Sequence, residues 1–427
     1  MTATTDTDTY PASARARFRF SFVDTFMWTV RVLAIVFIAW GVTGALVLTL
    51  QGDGLSGAAW RDLTITGLAQ GSMYGLIALG YSMVYGVLGF INFAHGEVFM
   101  VGSMVGFFAA DALAENGVWE GNPVFALAFV ILVSSVSSML LAVAIERVAY
   151  RPLRGAPRII PLITSIGMSF FIQYAVRGLF GSGFLTYPQL PESLQGEAFF
   201  SFQKIQVLVI VLTIFASIGL YFFVERTKTG RAMRAVAEDK EIAGLMGIDV
   251  DRTVVVTFAV GGFMAGVAGA MWALLFRQVF FFTGFLPGIK AFTAAVLGGI
   301  GNLAGAMLGG VTLGLFESLG PQVVLGGLRW DLHLLLIEVI VLAALLIFAA
   351  IRWRSGIGRI LRTGLGVIAG TLLITLITPV LRDFAFSITV PGLSQLKDVV
   401  AFTALVLVLI FRPTGLLGER LAVEERG

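Results

Sequence analysis

Residues 67–102, "GLAQGSMYGLIALGYSMVYGVLGFINFAHGEVFMVG", join a long apolar run to a sudden group of polar side chains. The apolar run, from about 62 to 90, is long enough to cross a bilayer as a helix. Asn92, His95 and Glu97 then follow within six residues, although the whole chain has only two histidines. Polar side chains at membrane depth usually face the protein interior or a water-filled path. One interpretation is therefore a broken or re-entrant helix at the core of a membrane protein.

The alternative interpretation of the same stretch is a turn at the membrane surface, where water satisfies the polar groups. Asn92 would then cap the next helix, and Gly96 would loosen the turn. His95 and Glu97 would form local hydrogen bonds. The sequence leaves the depth of this segment open.

The composition predicts an all-α polytopic membrane protein. Of the 427 residues, 57% are hydrophobic and 13% are charged, and the mean hydropathy is +0.92; soluble domains carry about 25% charged residues. Apolar runs recur, and we expect about 11 transmembrane spans of roughly 20 residues each, with broken or re-entrant segments near 286–320. The ten-residue alternation of membrane barrels is not seen. The absence of cysteine excludes disulfides, thiol chemistry and Cys-ligated metals.

The basic residues predict the orientation, because cytoplasmic loops of membrane proteins are enriched in Lys and Arg. Arginines precede the first apolar run at about 30–50, and others cluster at 147–158, 225–252 and 352–362 and near the carboxyl end. A topology in which every cluster lies on one side is self-consistent. It places both termini in the cytoplasm.

The block at 225–252, "ERTKTGRAMRAVAEDKEIAGLMGIDVDR", holds twelve charged residues among 28. Thr229 and Gly230 indicate a turn, an amphipathic helix is expected from Arg231, and Gly247 is placed to end it. A solvated loop obeying the positive-inside rule is the alternative. Both signs of charge and small residues such as Ala243 favour a helix that docks in a groove of a cytoplasmic partner.

Glycines recur at four-residue spacing, which places them on one helix face where helices can approach closely. The three sets are Gly67, Gly71 and Gly75; Gly262 and Gly266; and Gly301, Gly305 and Gly309. A short internal likeness pairs "INFAHG" at 91–96 with "GNLAG" at 301–305, so that Asn92 corresponds to Asn302. Transporters often interrupt helices at corresponding positions of two repeats, although a match this short also arises by chance.

Transport, enzyme and channel functions were compared. No GxxxxGK[ST] loop is present, so any ATP energy must come from a partner. A membrane enzyme using His95 and Glu97 is disfavoured, because residues two apart on a helix point in different directions. No nucleophile motif, HExxH pair or selectivity-filter repeat is visible. Transport without catalysis by this chain is the expectation.

Four segments together resemble one permease family: the stretch at 67–102, "ERVAYRPLR", "TKTGRAMRAVAEDKEIAGLMGID" and "FRPTGLLG". They are similar, over about 60–320 and 394–418, to the first permease subunit of branched-chain amino-acid ABC importers. The resemblance implies a bacterial inner-membrane complex with a second homologous permease, two cytoplasmic ATPases and a periplasmic or lipid-anchored solute-binding protein. The chain itself would need no cofactor or metal, since the partners use ATP. Relatives that carry urea, short amides or other amino acids keep those substrates as alternatives.

The resemblance also implies two sets of site residues. The ATPase-coupling set is Thr229, Gly230, Arg231, Ala237, Glu238, Asp239, Ala243 and Gly247. The set at the translocation path or helix break joins Asn92, His95, Gly96 and Glu97 of the first motif to Gly299, Gly301 and Asn302, which follow from the internal likeness.

The expected organisation departs from the family at two places. Residues 1–59 would form a basic leader and an extra transmembrane helix, and 325–390 would form an inserted helical hairpin. Between them, 60–324 would be the core permease domain, and 391–427 would supply the last helix and a cytoplasmic tail.

Overall fold

The computed structural model describes residues 55–157, 159–198, 202–325, 396–412 and 415–417, with isolated positions between 38 and 50. These residues are almost entirely helical. The α-helices in chain order are α1 (Gly57–Leu88), α2 (His95–Glu115), α3 (Val118–Gly121), α4 (Pro123–Ile145), α5 (Ile159–Phe180), α6 (Lys204–Arg226), α7 (Lys228–Glu238), α8 (Lys240–Leu245), α9 (Val250–Phe276), α10 (Phe285–Gly298), α11 (Leu303–Gly320) and α12 (Lys397–Phe411).

Seven helices of the described ranges are long and apolar enough to cross a membrane: α1, α2, α4, α5, α6, α9 and α11. This supports the predicted all-α membrane fold and gives a lower number than the expected 11 spans. The apolar runs at 332–351 and 364–381 lie outside the described residues, as do most of the first run at 30–50 and the proposed insert at 325–390. Their part in the span count stays a prediction.

Two ends of the bundle serve as reference points below. The "α7 end" carries α7, α8, the last residues of α1 and the start of α9. The "sheet end" carries a two-stranded antiparallel sheet, in which β1 (Leu185–Thr186) pairs with β2 (Gln278–Val279) just after α9. At this end the buried Tyr187 donates a hydrogen bond to the Ser103 carbonyl (2.7 Å), and burial raises the pKa of the Tyr187 hydroxyl.

Glycine faces bring the central helices together, as their spacing predicts. A Cβ atom on Gly71 of α1 would lie 2.8 Å from the Gly310 carbonyl oxygen of α11. A Cβ atom on Gly262 of α9 would lie 2.8 Å from the Ser138 carbonyl oxygen of α4. Because neither backbone can retreat, any side chain at these glycines would separate the helix pairs.

Helices α10 and α11 form the broken hairpin expected near 286–320. With 14 residues, α10 rises only about 21 Å, which is less than the roughly 30 Å of a bilayer core. Gly299 (φ 104°) and Gly301 (φ 94°) make the sharp turn between the two helices. The expected glycine face at 301, 305 and 309 is therefore only partly correct: Gly301 lies in the turn, while Gly305 and Gly309 pack against α10.

The charged block forms two short helices, where one was expected. The α7 helix begins at Lys228, so Thr229 and Gly230 lie in its first turn and the predicted turn at these residues is wrong. The reason is that the Thr227 hydroxyl caps the helix by accepting a hydrogen bond from the Gly230 N–H (2.9 Å). Asp239 then interrupts the helix, because its carboxylate caps α8 at the Glu241 and Ile242 N–H groups. Gly247 (φ 84°) follows the end of α8, where a chain break was predicted.

Candidate functional site

The predicted helix break at 90–94 is present, and Asn92 organises it. Gly89 (φ 74°) ends α1, and α2 begins at His95. The Asn92 side-chain oxygen accepts hydrogen bonds from the Ala94 N–H (3.1 Å) and from the Tyr150 hydroxyl (2.6 Å). Asn92 is 3% exposed, so the amide is a buried anchor for the break and its polar bonds are made inside the protein.

The polar side chains of the break are buried inside the bundle. The His95 ring lies against Gly80 of α1, where a Cβ atom would be 2.7 Å from the ring carbon Cε1. Gly80 in turn contacts Gly261, the twelfth of the 27 residues of α9. The His95 ring therefore lies beside the middle of α9. Asn92, His95 and Glu97 are at most 3% exposed, so the solvation expected in the alternative of a surface turn is not found, and the depth in the membrane stays a prediction.

Two of the local roles expected in that alternative are also wrong. Gly96 lies in the first turn of α2 and loosens no turn. Glu97 makes no local side-chain bond: its Oε1 accepts hydrogen bonds from Gln173 (2.6 Å) and Ser169 (3.2 Å) of α5. Glu97 thus ties the start of α2 to a second span.

Both polar side chains keep an atom without a partner. Among the described residues, His95 Nε2 and Glu97 Oε2 make no hydrogen bond, although His95 and Glu97 are only 2% and 1% exposed. The His95 ring packs edge-on against Tyr81, with ring centroids 4.8 Å apart. Buried polar atoms without partners are rare and call for an explanation.

A contact made by three glycines closes the centre of the site. We call it the glycine seam: Gly96 of α2 against Gly284, which precedes α10, and Gly288 of α10. A Cβ atom on Gly96 would lie 2.6 Å from the Gly284 carbonyl oxygen, and one on Gly288 would lie 2.9 Å from Gly96 Cα. The starts of α2 and α10 therefore touch through backbone alone. The sequence analysis found Gly96 and missed Gly284 and Gly288, because nothing local shows which glycines face each other.

The arrangement does not join His95 and Glu97 as an acid–base pair. The imidazole faces Gly80 and Tyr81 on α1, whereas the carboxylate faces Ser169 and Gln173 on α5. The expectation that two positions two apart diverge is confirmed. Among the described residues no group of three or more His, Asp or Glu side chains is arranged to hold a metal ion.

The second predicted break also begins with an asparagine. The Asn302 side-chain oxygen accepts a hydrogen bond from the Gly305 N–H (2.9 Å), which caps α11. The Gly301 N–H donates to Ser82 of α1 (2.8 Å). Asn302 thus caps α11 directly, whereas Asn92 lies three residues before α2 and the expected cap by Asn92 is not formed. The two asparagines differ in burial, since Asn92 is buried and Asn302 is only partly buried.

The carboxyl-terminal segment at 415–417 completes this second break. The N–H groups of Leu416 and Leu417 donate to the carbonyls of Leu297 (2.7 Å) and Gly298 (3.0 Å) at the end of α10. The Asn302 amide donates to the Leu417 carbonyl (3.1 Å). The "FRPTGLLG" segment therefore supplies partners to a helix end that would otherwise leave carbonyl groups unsatisfied.

A buried charge cluster was missed by the sequence analysis. Lys290 Nζ lies 2.9 Å from Glu317 Oε1 and 2.7 Å from Asp398 Oδ1, and it joins α10, α11 and α12. The Tyr74 hydroxyl of α1 donates to Glu317 Oε2 (3.0 Å). Lys290 and Glu317 are 5% and 3% exposed. The signal was available, because an ionisable residue within an apolar helix is rare and marks a functional or structural site.

The coupling residues are divided between the interior and the surface of the α7 end. Gly230 and Ala243 are buried, whereas Arg231, Ala237, Glu238, Asp239 and Gly247 are exposed and Thr229 is half-buried. Ile242, Leu245 and Met246 are 58%, 87% and 78% exposed. These apolar side chains are therefore turned away from the bundle. Together with Glu238 and Glu241 they form an apolar surface with an acidic border.

Hydrogen bonds connect this surface to the break. Lys240 Nζ donates to the Leu88 carbonyl at the end of α1 (3.3 Å), six residues before Ala94. On the other side, Arg154 pairs with Asp251 of α9 and with the fully buried Glu146. Glu146 begins a π-helix, Glu146–Tyr150, and Tyr150 at its end donates its hydroxyl to Asn92. The two connections run through backbone and packed side chains.

Comparison with known proteins gives one family and several relatives. The family described as "Branched-chain amino acid transport system / permease component" matches residues 63–350. The high-affinity branched-chain amino acid transport system permease protein BraD of Pseudomonas aeruginosa is 38% identical over 362 residues, which cover 83% of this chain and 94% of that protein. The permease protein LivH of Escherichia coli is 44% identical over 260 residues, 59% of this chain and 83% of LivH.

A more distant similarity concerns a different cargo. The fructose import permease protein FrcC of Rhizobium meliloti is 32% identical over 158 residues, 35% of this chain and 41% of FrcC. No solved structure matches this chain.

Proposed function

Since the chain belongs to the branched-chain amino acid transport system permease family, we propose that the path for the amino acid runs between α2 and α10, at the glycine seam. The chain is a multi-pass membrane protein and a permease subunit of an ABC importer, and it is not an enzyme. The substrates proposed are leucine, isoleucine and valine. Similarity to a fructose permease covers only about a third of the chain and does not outweigh this assignment.

The observation that carries the proposed path is the buried, half-satisfied carboxylate of Glu97 at the start of α2. Polar groups inside a membrane protein that lack a partner favour a ligand or a water-filled route. Glu97 Oε2 is such a group, and it lies beside the contact between α2 and α10 that glycines keep free of side chains. Separation of these helix starts would open the interior without moving any large side chain at the seam.

The energy is proposed to come from two ATPase subunits that dock at the α7 end. The exposed apolar residues Ile242, Leu245 and Met246 are suited to a hydrophobic groove, and Glu238 and Glu241 are suited to a basic rim around it. ATP would be used by those partners alone, so this chain would need no cofactor. A second homologous permease and a solute-binding protein at the sheet end would complete the complex.

The same arrangement gives the proposed location. The α7 end would face the cytoplasm of a bacterium, because it carries the arginine-rich segments, and the sheet end would face outward. The chain would lie in the inner membrane with both termini in the cytoplasm. Movement of α7 and α8 by the ATPases would reach the break through α1 and through the π-helix.

The test is radiolabelled uptake in a bacterial strain that lacks its own branched-chain amino-acid importers. Cells expressing this chain with its neighbouring transporter subunits should accumulate leucine and should not accumulate urea. Urea uptake without leucine uptake would contradict the proposed substrate. ATP hydrolysis by the purified chain without partner subunits would contradict the proposed division of labour.

A further inference from the structure

The free oxygen of Glu97 faces the start of α10 across the seam. A Cβ atom on Gly284 would lie 2.8 Å from Glu97 Oε2, so nothing but the glycine backbone separates the carboxylate from that helix start. The other oxygen, Oε1, already accepts two hydrogen bonds from α5. Glu97 is thus held in position by one oxygen while the second remains available.

The positive start of α10 and the negative carboxylate of Glu97 therefore lie next to each other. Helix α10 has 14 residues, and its start carries the positive end of the helix dipole. The Phe285 and Gly288 N–H groups already donate to the carbonyls of Phe282 and Gly284, so the dipole is the interaction offered here. A carboxylate group is favoured there. A few ångströms away, Glu97 Oε2 is an acceptor that a cationic donor would satisfy.

We propose that the α-ammonium group of the transported amino acid binds Glu97 Oε2, and that its carboxylate faces the start of α10, when the seam opens. This inference rests on the proposed function and adds the substrate class that the site recognises: a zwitterion with adjacent ammonium and carboxylate groups. In the closed structure the seam fills this position with backbone, which explains why Oε2 is buried without a partner. Sugars and urea lack both charges and gain neither interaction.

The contribution of His95 follows from its place. Its ring packs edge-on against Tyr81 and lies against Gly80, both on α1. His95 is therefore assigned a positioning role, holding the start of α2 against α1, while Glu97 makes the contact with substrate.

The first experiment compares Glu97→Gln with the wild-type chain in the assembled transporter reconstituted in liposomes with loaded binding protein. Loss of a charge-assisted hydrogen bond should lower leucine uptake about 10- to 100-fold. ATP hydrolysis should stay within twofold of wild type, so the ATP consumed per leucine rises. Gln173→Leu removes the 2.6 Å bond to Oε1 and leaves the charge. It should lower uptake less than Glu97→Gln does.

A merely structural Glu97 gives the opposite pattern. Uptake by Glu97→Gln within twofold of wild type would overturn the inference, and so would equal losses of uptake and thermal stability in the Glu97→Gln and Gln173→Leu transporters. These results leave the proposed function intact, because the wild-type transporter still imports leucine. A wild-type transporter that imports no leucine would instead refute the proposed function.

The second experiment tests the ligand chemistry without the binding protein. Transporter in nanodiscs is incubated with radiolabelled leucine and a competitor that lacks one charged group, either 3-methylbutylamine or 4-methylpentanoate. The amine should compete better against wild type, and this preference should disappear in Glu97→Gln. Equal competition by the two compounds in wild type would overturn the assignment of Glu97 to the ammonium group.

Discussion

Replacement of Lys290 by methionine should destabilise the protein through the charge that it leaves behind. Lys290 and Glu317 are almost completely buried, and their charged atoms are 2.9 Å apart. Removal of one partner of a buried ion pair costs about 3–5 kcal/mol, because the other charge stays buried. Glu317 would keep the Tyr74 hydroxyl at 3.0 Å and Lys397 at 3.7 Å. We therefore expect a loss at the lower limit, about 3 kcal/mol.

The matched variant is Lys290→Met combined with Glu317→Gln. The amide removes the stranded charge and still offers an oxygen to the Tyr74 hydroxyl. Asp398 is about a third exposed and can be hydrated on its own. Since buried ion pairs contribute little net stability compared with uncharged replacements, the double variant should recover at least half of the loss, about 1.5 kcal/mol or more.

The assay is equilibrium unfolding of the purified protein in mixed micelles, followed by tryptophan fluorescence. Both variants are compared with wild type and with Lys228→Met, an exposed lysine at the start of α7 that should be neutral. Equal destabilisation of the single and double variants would refute the reasoning. It would mean that Lys290 acts through the packing of its aliphatic part.

Three further predictions concern the break, the seam and the α7 surface. Tyr150→Phe removes the hydroxyl that donates to Asn92. This should lower the free energy of unfolding by about 1 kcal/mol and also lower uptake. Tyr221→Phe, on the exposed face of α6, should change neither quantity in the same unfolding and uptake assays. Gly288→Ala places a methyl group 2.9 Å from Gly96 Cα and should destabilise the protein by about 1–3 kcal/mol. The control Gly167→Ala on α5 meets no atom within 4 Å and should be neutral or slightly stabilising. Equal stability of the two variants would show that the seam is not closed. Glu238→Lys should abolish uptake with unchanged thermal stability because Glu238 is exposed. Normal uptake by Glu238→Lys would remove this surface from the coupling mechanism.

The sequence predicted the helices well wherever hydrophobic length and composition alone determine them. The apolar run expected from about 62 to 90 corresponds to α1, and the broken hairpin expected near 286–320 corresponds to α10 and α11. Hydrophobic length and capping residues are local properties, so the sequence contains them. The glycine face of α1 was also predictable, because spacing by four sets a common side of the helix.

The site itself was only half predictable. Asn92, His95 and Glu97 stood out because they are polar in an apolar run. Gly284 and Gly288 did not, since their role depends on which helix start they meet. The division of the charged block into α7 and α8 at Asp239 was not predicted. An aspartate within a charged stretch is typical of a solvent-exposed position, and only its capping geometry shows that one helix ends there and another begins. Lys290 and Glu317 were not predicted to pair, because they are 27 residues apart in a glycine-rich region and only the fold brings them together.

The central claim is that the start of α2 borders the amino-acid path, and cysteine labelling tests it most directly. The chain contains no cysteine, so a single Ser169→Cys variant, next to Glu97, gives a specific signal. In the reconstituted transporter this thiol should be unreactive toward a small cationic methanethiosulfonate while nucleotide is absent. It should become reactive during ATP turnover with loaded binding protein, and leucine should slow the reaction. A thiol that stays unreactive while the same transporter imports leucine would contradict the account.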